Sequence, residues 1–243
     1  MGLEMMELLE EGARRWGLDF TSDTLAAFQT YYEELIAWNE RVNLTAITDY
    51  QEVQIKHFLD SLSCLLVLEG WPTERWRHLD IGAGAGFPGL PLKIARPQME
   101  ITLLEAKKKR VQFLQHLVGR LGLSGIEIIR GRAEELGRQP GHREGYDLLL
   151  ARAVATLPVL LEYALPLCRI GGILIAQKGP DVEEELKASQ VALRVLGGQM
   201  REVRSLELPH SMGRRNLVVV EKVALTPGKY PRRPGVPAKR PLI

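Results

Sequence analysis

Three glycines at alternate positions, Gly82, Gly84 and Gly86, follow an acid, Asp80, in the stretch His78-Leu79-Asp80-Ile81-Gly82-Ala83-Gly84-Ala85-Gly86-Phe87-Pro88-Gly89-Leu90. Glycine takes positive φ at no steric cost and lets a ligand lie directly on the main chain, and a helix starting just beyond offers free N–H groups. The chemistry this suggests is the holding of a nucleotide-like ligand. A dinucleotide fingerprint counted from Gly82 needs glycine or alanine at position 87, which is Phe87, so that register fits poorly. The shifted register Gly84-x-Gly86-x-x-Gly89 satisfies the pattern, but it begins two residues late and puts Pro88 inside the turn.

What remains is an acid followed by alternating glycines, the form seen in S-adenosylmethionine (SAM) sites, where Asp80 suits a ligand carrying an ammonium and a sulfonium. A second acid strengthens this. Glu105 closes the apolar run from Glu100 and lies 23 positions after Gly82, near the separation at which an acid meets a ribose diol. After the next strand come Ala133 and Glu134, where a doubly wound sheet would present them to an adenine edge. Arg152 ends the fourth strand, where the transferred methyl group should emerge, and Lys178 ends the fifth.

The groups that are missing narrow the reaction. Exocyclic amine methylation is commonly served by Asn or Asp followed by Pro-Pro and an aromatic after the fourth strand, and Arg152 stands there instead. Carbon methylation of a pyrimidine calls for a nucleophilic cysteine near the crevice. Cys64 precedes the sheet, and Cys168 is expected well along a helix. A ribose hydroxyl would want a lysine with acids around it, and Lys178 shows no obvious partner at the fourth strand. Guanine N7 exposes a lone pair and carries no proton, so its methylation needs orientation more than a base. Arg152 could then meet guanine through O6, leaving N7 free, or hold the cofactor.

The elements that must position these groups follow from hydrophobic spacing. Helical periodicity covers 3–15, 23–38 and 51–68. From residue 76 strands and helices alternate: strands 76–81, 100–105, 126–130, 147–151 and 172–177, with helices 88–95, 107–122, 156–168 and 181–196. Two final strands near 200–207 and 216–223 have only a short connection and are expected to form an antiparallel hairpin. The fold class is therefore α/β, a mainly parallel seven-stranded Rossmann-like sheet of the class I methyltransferase kind. The expected organisation is a helical cap over 1–70, a SAM-binding core over 71–225 and a basic, Pro-rich tail over 226–243.

With 243 residues, 45% hydrophobic and 26% charged, the chain has the composition of an ordinary globular protein. No run approaches a membrane span, and the acidic N-terminus lacks the basic start of a signal peptide, so a soluble, cytoplasmic protein is expected; it is also expected to be monomeric. Two distant cysteines predict neither a disulfide nor a metal site. Net charge is only +2, yet residues 1–40 carry nine acids against two bases and residues 194–243 eleven bases against three acids. Such polarity suggests a basic face for a polyanion. The last sixteen residues hold five bases, four prolines and no acid, which predicts an extended strip able to follow phosphates.

Taken together, these residues resemble one family. The blocks Asn43-Leu44-Thr45, His57-Phe58-Leu59-Asp60-Ser61, Asp80 to Pro91, Glu105 to Arg110, Ala133-Glu134, Arg152-Ala153, Lys178-Gly179 and Tyr230 to Leu242 are similar to the bacterial 16S ribosomal RNA guanine-N7 methyltransferases, the RsmG/GidB family. The resemblance implies SAM as cofactor, 16S ribosomal RNA or the small subunit as partner, and guanine 527 near the decoding site as target. It implies cofactor contacts from Gly82, Phe87, Glu105, Ala133, Glu134 and Arg152, and Asp80, Gly84 and Gly86 of the glycine motif, with Ala106 and Lys107 beside Glu105, are expected to join them. It directs His57, Asn43 and Lys178 towards RNA, with His57 open to two roles, anchoring the cap or touching substrate. Arg214, Arg215, Arg232, Arg233, Lys239 and Arg240 complete the expected RNA face. A nonenzymatic RNA-binding factor on the same fold and an NAD-linked oxidoreductase are the competing readings.

Overall fold

A computed structural model describes residues 5–68 and 76–243. Three helical segments come first: α1 (Glu7–Arg15), α2 (Ser22–Val42) and a run from Tyr50 to Val67. Thr21 caps α2 by accepting from the Thr24 amide, and Asn43 ends it in the left-handed conformation at φ 51°. The third segment is not the uniform helix that its spacing predicts. It opens as α3 (Tyr50–Val53), widens into a π-helical turn over Gln54–Leu59, recovers as α4 (Asp60–Leu62) and tightens to 3₁₀ over Ser63–Val67. Leu3 and residues 69–75 lie outside the described residues.

Among the described residues, seven strands form one sheet in the order β3-β2-β1-β4-β5-β7-β6. They are β1 (Arg77–Ile81), β2 (Glu100–Glu105), β3 (Ile126–Arg130), β4 (Tyr146–Arg152), β5 (Cys168–Lys178), β6 (Gly198–Glu207) and β7 (Arg214–Lys222). The first five run parallel, and β7 runs antiparallel to both β5 and β6, which is the expected hairpin. Alternation along the strands divides the core. Leu148, Leu150, Ile173 and Ile175 pack with α1, α2 and the Tyr50–Val67 run. Leu149, Ala151, Leu174 and Ala176 pack on the opposite face with α8 (Leu157–Ala164) and α10 (Gln190–Leu196).

Between the strands lie α5 (Gly89–Ala95), α6 (Lys108–Arg120), the single turn α7 (Ala133–Leu136), α8, α9 (Glu183–Ala188) and α10. Two of these helices depart from the spacing that predicts them. The helix predicted for 156–168 stops at Ala164, because Pro166 has no N–H to continue it, so Cys168 opens β5 rather than sitting in a helix. The helix predicted for 181–196 is two helices, with Ser189 buried at the joint. The C-terminal residues also depart from an extended strip. They turn back onto α7 and α8, bury Thr226, Tyr230 and Pro231, and form α11 (Val236–Lys239).

Candidate active site

Two adjoining crevices open at the carboxyl ends of the parallel strands, where a doubly wound sheet places its ligands. The smaller, about 280 Å³, is lined by Gly82, Glu105, Ala106, Arg110, Ala133, Glu134, Ala153, Val154 and Tyr163 among others. The larger, about 750 Å³, takes in Thr45, His57, Asp60, the Gly82–Ala85 turn, Phe87, Arg110, Arg152, Ala153, Val154, Lys178 and Arg215. Gly82, Arg110, Ala153 and Val154 border both, so the two form one trough with a seam at the glycine turn.

The seam explains the glycine at 82. Its φ is +68°, and a Cβ there would stand 3.0 Å from Val154 Cγ2, narrowing the passage. Gly86 has a different reason. At φ +96° its missing Cβ would come within 2.5 Å of Leu90 Cδ1 and 2.6 Å of Tyr31 Oη, so it faces the interior rather than the trough. Asp80 is likewise hidden. Its Oδ2 accepts from the Gly89 amide at 2.9 Å, capping α5 from the end of β1, while Oδ1 has no partner among the described residues. Burial pushes its pKa up to about 7. Asp80 thus braces the turn from below and lies behind the trough wall.

Glu105 is 4% exposed at the end of β2. Its Oε2 accepts from the Gly84 amide at 3.0 Å and its Oε1 from the Lys107 amide at 2.7 Å, with Arg110 Nη1 at 3.8 Å. Each oxygen keeps a lone pair, so the carboxylate is oriented and still able to accept from two hydroxyls. The Lys107 side chain points to solvent.

On the larger side an aromatic and cationic cluster surrounds Phe87. Tyr31 stacks on it at 5.3 Å, His57 at 4.6 Å, and the Arg152 guanidinium lies 4.6 Å from the ring centroid. The π-helical turn turns the Lys56 carbonyl towards Arg152 Nη1, which donates to it at 3.2 Å and to Asp60 Oδ2 at 3.2 Å. The same Asp60 oxygen accepts from Arg215 Nε at 3.3 Å, so one buried carboxylate gathers arginines from β4 and β7. Asp60 Oδ1 and Gln177 Oε1 accept nothing among the described residues. His57 contacts Thr45 Oγ1 through Nε2 at 2.7 Å and the Lys56 carbonyl through Nδ1 at 3.1 Å. Burial, with the Arg152 charge second, holds its pKa down to about 3, so it is neutral at physiological pH. Lys178 Nζ donates to Ala155 O and to Glu185 Oε2, both at 2.7 Å, and that carboxylate also receives the Leu157 amide.

A family model described as "rRNA small subunit methyltransferase G" matches residues 24–218. This chain belongs to the GidB family. It is 49% identical over 239 residues to the Ribosomal RNA small subunit methyltransferase G of Pelotomaculum thermopropionicum, covering 98% of this chain and 99% of the relative. It is 45% identical over 240 residues to the protein of that name from Alkaliphilus metalliredigens, covering 99% and 100%. The fold is similar to that of a SAM dependent methyltransferase from Aquifex aeolicus, with TM-score 0.52 and 18% identity over 74% of this chain and 97% of that one. The GidB assignment makes SAM the cofactor, and the trough fits it. An oriented acid and a small-residue crevice lie on one side of a glycine seam that a Cβ would obstruct, with the open cleft on the other.

Of the residues that sequence reasoning singles out, Gly82, Gly84, Phe87, Glu105, Ala106, Ala133, Glu134, His57, Arg152, Lys178 and Arg215 meet in the trough. Asn43, Lys107, Arg214, Arg233, Lys239 and Arg240 lie outside it, and Arg232 is turned onto Glu162. Sequence reasoning missed Gln177 and Glu185. Gln177 could have been found as a neighbour of Lys178 at a strand end. Glu185 is hidden in the acidic run Glu183-Glu184-Glu185, which reads as solvated surface.

Proposed function

We propose that this chain transfers the methyl group of SAM to N7 of a guanine in small-subunit ribosomal RNA, with adenosine held in the smaller crevice and guanine entering the larger. SAM supplies an electrophilic methyl on a sulfonium; the chain's own residues bind, orient and exclude water. Glu105 accepts from the ribose hydroxyls, Ala133 and Glu134 flank the adenine, and the Gly82–Gly84 backbone follows the methionine portion. Phe87 and Arg152 form the wall against which guanine is aligned, and Arg215 with the exposed Arg214 faces the RNA backbone.

The observation that carries the N7 assignment is that the trough's ordinary base candidates, His57 and Lys178, are already engaged, while the Asp60 carboxylate is held between Arg152 and Arg215. Both ring nitrogens of His57 are engaged and its pKa is held down to about 3. Lys178 is paired with Glu185. The two thiols are buried, Cys168 pushed up to about 12 and Cys64 raised well above its ordinary value, so neither is a nucleophile. An acceptor with a lone pair and no proton to lose is the one such a site serves.

The test is methyl transfer from radiolabelled SAM to small subunits lacking the modification, with the product nucleoside identified. Label is expected in 7-methylguanosine and is expected to fall sharply with Arg152→Ala. Label in another nucleoside would refute the N7 reading.

A further inference from the structure

The C-terminal residues are basic, yet their tightest polar contacts point at the protein. Arg232 grips Glu162, which is 1% exposed on α8: Nε donates to Oε1 at 2.9 Å, Nη2 to Oε2 at 2.6 Å, and the Arg232 amide to Oε1 at 2.8 Å. Three residues later the Gly235 amide donates to Glu134 Oε1 at 3.1 Å. Arg143 joins the tail to the end of α7, donating from Nη1 to Gly137 O at 3.1 Å and to Tyr230 O at 2.8 Å. Gly137 itself lies against the tail, where a Cβ would stand 3.1 Å from Pro231 Cγ.

Of the two elements that receive these contacts, α8 and α7, the second cannot hold its own position. A four-residue turn such as α7 is far below the length at which a helix persists unaided, so tertiary contacts set where Ala133 and Glu134 stand. Glu134 is 3% exposed and borders the smaller crevice, and one of its oxygens is fixed by Gly235. A bidentate arginine on a buried carboxylate is a directional anchor that lysine does not reproduce.

We infer that the C-terminal segment is a buttress for the cofactor site: the Arg232–Glu162 fork and the Gly235–Glu134 hydrogen bond hold Glu134 against the adenosine. Arg232 is then a positioning residue for SAM rather than an RNA contact. The inference rests on the assignment of adenosine to the smaller crevice made above.

The experiment is calorimetric titration of SAM into full-length wild type, Arg232→Ala, Arg232→Lys, Glu162→Gln and Glu105→Ala. Binding to a 16S RNA transcript, thermal melting and backbone hydrogen exchange over 132–137 are measured on the same preparations. Arg232→Ala is expected to raise the SAM Kd about tenfold, Arg232→Lys by less, with exchange over 132–137 accelerated and RNA affinity within about twofold of wild type. Arg232→Lys keeps the charge and loses the fork, so it serves if the alanine variant fails to fold. Unchanged SAM affinity in both Arg232 variants, alongside weakened binding in Glu105→Ala, would overturn the buttress alone. Unchanged affinity in Glu105→Ala as well would overturn the adenosine assignment beneath it. Loss of RNA binding with SAM binding intact would return Arg232 to the RNA face.

Discussion

His57 and Asp80 are both buried, and the charges they can carry should oppose one another in the pH dependence of folding. The His57 pKa moves from 6.5 down to about 3 in the folded chain, so the folded state resists a proton that the unfolded chain accepts. Its contribution to stability is present above 6.5 and is lost as pH falls towards 3. The Asp80 pKa moves from 3.8 up to about 7, so the folded state binds a proton that the unfolded chain has released. Its contribution is present below 3.8 and is lost as pH rises through 7. Moving a pKa by one pH unit corresponds to about 1.4 kcal/mol, so each group contributes about 4 kcal/mol over nearly the same window with opposite sign. Asp80→Asn keeps an acceptor for the Gly89 amide and cannot ionise. The stability of this variant minus that of wild type should therefore rise by about 3 kcal/mol between pH 4 and pH 7, the remainder of the shift lying outside that interval. His57→Gln minus wild type should fall over that interval by a similar amount, and the double variant should lie nearly parallel to wild type. Urea unfolding at half-unit steps from pH 4 to 8, extrapolated linearly to water, measures this. A pH-independent offset for Asp80→Asn would refute the claim that its carboxylate is buried and destabilised in the ionised form.

Other outcomes follow from the same geometry. Glu105→Ala removes the acceptor proposed for the ribose and the partner of the Gly84 and Lys107 amides; SAM Kd should rise at least about tenfold by calorimetry, in line with the loss of charge-assisted hydrogen bonds. Gly86→Ala should cost about 3 kcal/mol in urea unfolding, from strain at φ +96° and the clash with Leu90 and Tyr31, and little change would mean that the turn relaxes freely. Since no proton leaves guanine N7, single-turnover methyl transfer should be flat from about pH 7 to pH 9, and a rising limb would reveal a general base. Arg215→Ala should weaken RNA binding more at low salt than at high salt, with SAM affinity unchanged.

Much of the fold could be read directly from residue patterns. The apolar runs of β4 and β5 are continuous because these central strands are covered on both faces, and the glycine turn follows from backbone conformation alone. What stayed hidden depends on contacts between distant residues. Asp80 and Gly86 belong to the motif yet serve packing beneath it, a distinction only the positions of Gly89, Leu90 and Tyr31 reveal. The π-helical turn leaves no mark in the spacing of Val53, Ile55 and Phe58, although it aims a carbonyl at Arg152. Proline and arginine in the tail suggest a solvated strip; Glu162, buried 70 positions earlier, makes them an anchor.

The reversal of the last strand has a consequence for how such a trough could change. Lys178, at the end of β5, stands level with Asn216 near the start of β7, so Arg215 reaches the site from the first residues of its strand. Just upstream in the chain is the hairpin bend over 208–213, none of whose residues lines either crevice. Lengthening or recharging that bend would alter the RNA contact proposed for Arg215 while leaving the proposed adenosine crevice as it is. Substrate choice and cofactor use can therefore drift at different rates within one sheet.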